Sequence, residues 1–326
     1  MKLTNISEIV NKELSSVDTE IRQSIPQKQN IFTDACLQIL SKKSKRIRPI
    51  LVLLSSGIVN LKGKRVIRLA TAVELFHTAT LVHDDIIDDS SLRRGAKTIN
   101  TQFGVHSAIL VADYLYLYGT TILNGVFNGN PRLNKEISKL ILKTANNIFT
   151  GELSQLLKNS SAISKKEYFN IISQKTASFF SACCTIPALL AGANNRYKLA
   201  LILFGRNLGI AFQIIDDILD IVGDEKTLGK KRGSDLKEGF FTLPLVHLYE
   251  NATKNEKNTI AKQGKRKTRN LNAIVKLINK YGSLEYAMKV AKSYSAKAKR
   301  NLDLFPQSKY KNALSDLCDF VVERDN

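Results

Sequence analysis

The chain has 326 residues, 44% of them hydrophobic, which supplies a large core and admits one large domain or two ordinary ones. Its formal charge of +20 invites a nucleic-acid reading, but Trp is absent and no zinc or nucleic-acid-binding signature occurs. No apolar run reaches the roughly 18 residues of a membrane span, and residues 1–30 hold no hydrophobic signal core, so a soluble, unsecreted chain with no transmembrane segment is expected.

In chain order, the first feature is Lys45-Arg46-Ile47-Arg48-Pro49, a basic run pinned by Pro49 and the apolar Ile50-Leu51-Val52 at the start of a helix. Val66 to Asp88 reads as one long helix, with Val66, Leu69, Ala70, Val73 and Phe76 on its apolar face. Lys175-Thr176 precedes an apolar stretch that contains Cys183 and Cys184; these, with Cys36 and Cys318, lack metal-ligand spacing and read as reduced core thiols. Phe204 to Val222 is a second long helix, in which Gly205 and Gly209 allow close helix contact, and Gly223-Asp224 ends it. Thr242-Leu243-Pro244 has the form of an N-cap followed by a first-turn proline. The run Lys262-Gln263-Gly264-Lys265-Arg266-Lys267-Thr268-Arg269 falls between helical patterns as a solvated loop. Alternating strand patterns are nearly absent, and no linker or composition break interrupts the chain. The expected architecture is all-α, a single large helical bundle over residues 1–326, with a central active-site cavity.

Two acidic clusters dominate the chemistry. Asp84-Asp85-Ile86-Ile87-Asp88-Asp89 ends the first long helix, and Asp216-Asp217-Ile218-Leu219-Asp220 ends the second. On a helix, positions i and i+4 share a face and i+1 lies beside them, so each cluster crowds carboxylates onto one stripe. Their place at a helix C-terminus also opposes the macrodipole. Singly, these aspartates would be solvated helix residues; paired, and followed by bases, they call for a cation, and a carboxylate-only site suits Mg²⁺ better than zinc. The bases are Lys45 and Arg48, His77 two turns before Asp84, Arg93 and Arg94 in Leu92-Arg93-Arg94-Gly95, Lys175, and Lys230 in Lys230-Lys231-Arg232-Gly233-Ser234-Asp235. Metal-binding acid clusters with separate Lys and Arg clusters describe a pocket for phosphate groups. His83 lies one residue out of register and has no catalytic role in this reading. Glu152 and Gln155 in Gly151-Glu152-Leu153-Ser154-Gln155 serve equally well as structural hydrogen-bonders or as substrate contacts.

These residues resemble the trans-isoprenyl diphosphate synthases, or polyprenyl synthetases, with wording closest to the long-chain, cyanobacterial and plastid branch. Five motifs occur in the family's order: K-R-x-R-P, H-D-D-x-x-D-x-x-x-x-R-R-G, G-E-x-x-Q, K-T and F-Q-x-x-D-D-x-x-D. They cover Lys45 to about Pro244, with a weaker echo in Asp319-Phe320-Val321-Val322-Glu323-Arg324. The resemblance implies that Asp84, Asp85, Asp88, Asp216, Asp217 and Asp220 bind the Mg²⁺ ions that clamp an allylic diphosphate. It implies further that Arg93, Lys175 and Lys230 contact that diphosphate, and that Lys45, Arg48, His77 and Arg94 hold isopentenyl diphosphate. Thr176 and Gln213 would line the reacting centre. Family members with bulky aromatics just before the first motif make short products. Here Ala79 and Thr80 stand there, with Phe76 as a later stop, so a long product is expected, hexaprenyl to decaprenyl and best solanesyl (nonaprenyl), for a quinone side chain.

Three departures stand out: Lys43-Ser44 where glycines are usual, Phe240 where a lysine is common, and Lys97 in place of proline. The competing readings are a shorter-chain farnesyl or geranylgeranyl diphosphate synthase, a terpene cyclase, and a non-catalytic regulatory subunit. A homodimer, peripheral membrane association for product release, no nucleic-acid partner, and a plastid stroma or bacterial cytoplasm complete the expectations that the resemblance implies.

Overall fold

The computed structural model describes residues 3–26, 28, 30–41, 44–93, 95–127, 130–158, 162–223, 233–264 and 271–324. Helices follow one another from Leu3–Glu8 to Lys309–Glu323, as the periodicity predicts. The only strands among the described residues are Leu92–Arg93 and Ala96–Lys97, an antiparallel pair that Gly95, at φ +73°, allows to turn. This hairpin is too short for a period-two pattern to announce.

The chain divides into two compact units. One comprises Met1–Ser138, Cys183–Leu201 and Leu304–Leu317; the other comprises Lys139–Ala182, Ile202–Asp303 and Cys318–Asn326. Most boundaries fall inside helices, among them Pro131–Leu157 and Asn195–Val222. No linker marks them, which is why composition points to a single domain.

In the first unit the Ile47–Ile58 helix is central, with every residue from Pro49 to Ile58 buried. Beside it runs Lys64–Ile87, two residues longer at its start than the expected Val66–Asp88 and with Asp88 as its C-cap. Neighbours pack on it from several directions, namely Asn11–Gln23, Ile47–Ile58 and Val105–Asn124. Its buried face is accordingly broad and takes in Thr71 and Glu74 as well as Val66, Leu69, Ala70 and Val73. Gly119 is needed where the helices approach, because a Cβ there would lie 2.9 Å from the Phe76 ring.

The helix expected from Phe204 begins earlier and spans Asn195–Val222, with residues 202–222 in the second unit. It is long and apolar enough to cross a membrane by length and composition, although no uninterrupted apolar run in the sequence has that length. Yet 56% of its apolar window is buried and its last turns carry three aspartates, which marks a core helix. Ile210, Ile214 and Ile218 join Leu243, Leu245 and Leu248 in one core cluster. Thr242 takes the N-cap position of Leu243–Asn251, with Pro244 in the first turn, but its side chain makes no capping bond. Lys165–Ile172, by contrast, opens with a full capping box from Ser164 and Glu167. It continues through a π-helical turn, Ser173–Ala177, into Ser178–Leu190.

The four cysteines are free and buried, as expected. Burial pushes Cys36 up to about 11 and Cys183 up to about 12, so both remain neutral thiols at neutral pH.

Gly209 sets a close helix contact in the second unit, since a Cβ there would stand 2.7 Å from the Ala177 Cα and 3.0 Å from the Phe180 Cβ. A backbone atom cannot swing aside. Gly209→Ala is therefore expected to lower unfolding free energy by about 1–3 kcal/mol, read from urea denaturation, and an unchanged midpoint would remove this contact from the account.

Candidate active site

In the first unit, Asp84 and Asp85 occupy the last turn of Lys64–Ile87 and Asp88 caps it. Asp89, left-handed at φ +48°, turns the chain sharply, and the Ser90 N–H donates to the Asp85 carbonyl at 2.9 Å. The hairpin then returns Arg93 to the carboxylates, with Nε donating to Asp85 Oδ1 at 2.6 Å. Asp85 is 4% exposed, so this is a largely desolvated pair. Burial, and after it the Asp84 charge, push the Tyr116 hydroxyl up to about 12. His83 stacks on Tyr116, with ring centroids 6.0 Å apart, which fits its non-catalytic reading.

Two turns before Asp84, Arg48 Nη1 lies 2.9 Å from His77 Nε2. A guanidinium can only donate, so Nε2 accepts and the His77 proton sits on Nδ1. Lys45 is exposed two residues before the helix start. Phe76 and Thr80 are half-buried, whereas Ala79 is fully buried.

In the second unit the residues form a chain of hydrogen bonds. The Thr176 hydroxyl donates to Gln213 Oε1 at 2.7 Å, Gln213 Nε2 donates to Asp217 Oδ1 at 3.0 Å, and the Tyr168 hydroxyl donates to Asp217 Oδ2 at 2.6 Å. Burial, and then the neighbouring charge of Asp235, push Asp217 up to about 8, against the two hydrogen bonds that lower it. Burial and the Asp217 charge hold the Tyr168 hydroxyl well above its ordinary range, which keeps it a donor. Asp216 pairs with Arg324, whose guanidinium also donates to the Phe212 carbonyl at 3.0 Å and lies 3.9 Å above the Phe212 ring. Asp220 accepts from Ser234 Oγ at 2.6 Å and from the Asp235 N–H at 3.1 Å, which caps the Ser234–Glu238 helix.

Lys175 sits in the π-helical turn, and its Nζ lies 2.5 Å from Glu152 Oε2 and 3.2 Å from Gln155 Oε1. Gly151 permits the approach, because a Cβ there would stand 2.6 Å from the Lys175 nitrogen. The G-E-x-x-Q motif is thus a bracket around this lysine. Arg94 and Lys230 lie outside the described residues, as do Lys231 and Arg232. Phe240, where a lysine was expected, is buried. Among the described residues no three His, Cys, Asp or Glu side chains converge closely enough to form a ready-made metal cage. Two of the aspartates hold arginines instead.

Sequence reasoning did not single out Tyr168, Arg46 or Glu74, and saw Arg324 only as an echo. Tyr168 lies two turns before Lys175, a spacing that could have drawn notice.

An all-α fold that carries paired aspartate clusters and separate diphosphate-type bases defines the isoprenoid-synthase class. The family model described as polyprenyl synthetase matches residues 29–281. Octaprenyl diphosphate synthase from Escherichia coli (strain K12) is 32% identical over 329 residues, covering 100% of both chains. Geranylgeranyl diphosphate synthase from Methanosarcina mazei is 33% identical, covering 100% of this chain and 99% of that one. A polyprenyl synthase from Caulobacter crescentus CB15, solved in complex with calcium and isoprenyl diphosphate, has a TM-score of 0.92 at 29% identity and covers 100% of this chain and 98% of its own. The chain belongs to the polyprenyl synthetase family. It is a prenyltransferase, a trans-prenyl diphosphate synthase.

Asp217 also gives a pH signature. Its folded value of about 8 exceeds the ordinary 3.8, so across that window the folded chain holds a proton that the unfolded chain has released. Stability at this group therefore falls as pH rises from about 4 to about 8 and levels off above. In EDTA, thermal unfolding of the wild type should lose ground to Asp217→Asn over that range. Parallel curves would refute the assignment.

Proposed function

We propose that the protein is a long-chain all-trans polyprenyl diphosphate synthase that condenses isopentenyl diphosphate onto an allylic diphosphate with Mg²⁺. Hexaprenyl to decaprenyl is the expected range, with nonaprenyl at its centre, and a quinone side chain is the destination. The observation that carries this reading is the presence, within one unit, of two distinct anion-handling sets. One is the carboxylate stripe of Asp84, Asp85 and Asp88 with Arg93; the other is Arg48 in 2.9 Å contact with His77, two turns earlier. Two sets suit two diphosphates, whereas a cyclase needs one.

The donor set fits Mg²⁺, being oxygen only, and the raised Asp217 is what crowded, buried carboxylates produce when their charge is not offset. In the first unit Asp84, Asp85 and Asp88 are the residues that would hold metal; in the second they are Asp216 and Asp217, with Asp220 capping the helix that follows. Once bound, Mg²⁺ neutralises the charge that gathers on the diphosphate as the allylic carbon–oxygen bond breaks. Arg93 in the first unit, and Lys175 and Lys230 in the second, are the bases that would donate to diphosphate oxygens. Thr176 and Gln213 would line the reacting centre. Lys45, Arg48, His77 and Arg94 hold isopentenyl diphosphate so that its double bond attacks the cation, and the departing diphosphate accepts the proton that is then lost. Fixing both diphosphates supplies the proximity that carbon–carbon bond formation requires. The compartment follows the host, bacterial cytoplasm or plastid stroma.

Product length rests on the helix face before Asp84. Thr80, half-buried one turn before Asp84, puts a small side chain on that face. A shorter product is the second reading, favoured by the Phe76 ring, 5.8 Å from the Tyr116 ring one turn further up.

Purified protein, Mg²⁺, labelled isopentenyl diphosphate and a farnesyl or geranylgeranyl primer should give a ladder ending at a long polyprenol, and Thr80→Phe should end it several units earlier. Termination at geranylgeranyl by the wild type would select the second reading. No incorporation with any primer would overturn the proposal in favour of a regulatory subunit.

The homodimer is proposed from the Pro131–Leu157 helix, where Leu142, Phe149, Leu153 and Leu157 form a stripe, each more than half exposed. Light scattering should give twice the chain mass of 36.4 kDa, and Phe149→Glu should shift the protein towards one chain. A monomeric wild type would sink this assignment.

A further inference from the structure

The loop before the Ile47–Ile58 helix contains a non-glycine residue in the left-handed region, Arg46, at φ 49° and ψ 31°. Such a conformation persists only where its surroundings over-determine it. Here they do. The Arg46 side chain is 15% exposed, and its fork spans two helices. Nη1 donates to Glu74 Oε1 at 2.6 Å on Lys64–Ile87, while Nε and Nη2 each reach Asp18 Oδ1 at 3.1 Å on Asn11–Gln23. Glu74 is 3% exposed, and its other oxygen, Oε2, is buried without a hydrogen bond, so Arg46 carries the whole task of neutralising it.

Ser44 completes the arrangement. Its hydroxyl donates to Glu74 Oε1 at 3.0 Å, and the Arg46 N–H lies 3.4 Å from the same hydroxyl oxygen. A glycine at position 44 would offer neither contact. Two residues after Arg46, Arg48 meets His77, three residues after Glu74. Loop and helix are therefore joined by two rungs, 46 to 74 and 48 to 77. The first joins a buried carboxylate to its guanidinium; the second joins Arg48 to the His77 ring. Lys45 sits between Ser44 and Arg46, on the backbone that the first rung fixes.

We infer that Arg46, Glu74 and Ser44 are positioning residues for the isopentenyl diphosphate site, an inference that rests on the function proposed above. Lys45 and Arg48 would otherwise spread by mutual repulsion and, with His77, have to be gathered by the anion itself. The clamp sets their backbone beforehand, and because Glu74 and Asp18 neutralise Arg46, it does so without adding a competing anion site.

The test compares wild type with Arg46→Lys, which keeps the charge and loses the fork, and with Ser44→Gly, which removes the hydroxyl's bond to Glu74 and its contact with the Arg46 N–H. Arg46→Lys should raise KM for isopentenyl diphosphate about tenfold and Ser44→Gly about threefold. KM for the allylic primer, kcat and melting temperature should stay near wild type. Calorimetric binding of isopentenyl diphosphate in EDTA should weaken by the same factors. Unchanged affinity in both variants, or equal losses for both substrates, would overturn the inference. If Arg46→Lys does not fold, Ser44→Gly decides alone. A wild type that forms no carbon–carbon bond would fell the functional reading, while the binding isotherms would still judge the clamp.

Discussion

The structure around the site is organised by one constraint, which is that like-charged carboxylates stand close together at the ends of apolar helices. Two unit charges 4 Å apart repel by about 4 kcal/mol at the effective dielectric of a protein surface, and burial adds to that cost. Each aspartate is therefore answered differently. Asp85 is held by Arg93, Asp216 by Arg324, Asp217 by two neutral donors and a raised proton affinity, and Asp220 by a hydroxyl and a backbone N–H. Every answer also anchors a segment. Arg93 fastens the hairpin, Arg324 the end of Lys309–Glu323, Tyr168 the Lys165–Ile172 helix, and Ser234 the short helix that follows position 233. The acidic motifs thus shape their surroundings before any ligand arrives.

Close backbone approach is the second device, and it serves Lys175 and Thr176. Gly151 and Gly209 lie where a Cβ would meet the backbone at Lys175 and Ala177, the middle and last residues of the π-helical turn. A π turn widens the helix by one residue and is most often found at functional sites. It presents Lys175 to Glu152 and Gln155, and Thr176 to Gln213. The two neighbours in sequence therefore address different partners. A regular α-helix also turns adjacent residues about 100° apart, but without the bulge the registers of Lys165–Ile172 and Ser178–Leu190 would not both be kept.

What was legible in the sequence is what local spacing controls. Helix type, both acidic motifs, the basic run before Pro49 and the pairing of His77 with the Asp84 face all follow from a period of 3.6 residues. What was not legible depends on residues far apart in the chain. Tyr168 and Asp217 are 49 positions apart, and Arg324 and Asp216 are 108 apart, so no window of sequence joins them. Arg46 was read as one more base in a basic run, because its carboxylate partners lie on two other helices. The two compact units leave no mark in the sequence for a related reason, since most of their boundaries run through helices.

The residues before the first motif show where periodicity stops being informative even at short range. Ala79 and Thr80 are neighbours and both small, so sequence treats them as one opening in the wall of a tunnel. In the fold they part. Ala79 is wholly packed, whereas Thr80 is half-buried and ties its hydroxyl to the His77 carbonyl at 2.7 Å. Phe76, Thr80 and Asp84 recur every four residues and form the partly open stripe. What bounds that stripe is supplied by a second helix, through Tyr116 beside Phe76 and through Gly119, whose missing side chain leaves room for the Phe76 ring. Depth above Asp84 is therefore a property of two helices in contact. A motif read along either helix alone contains half of it.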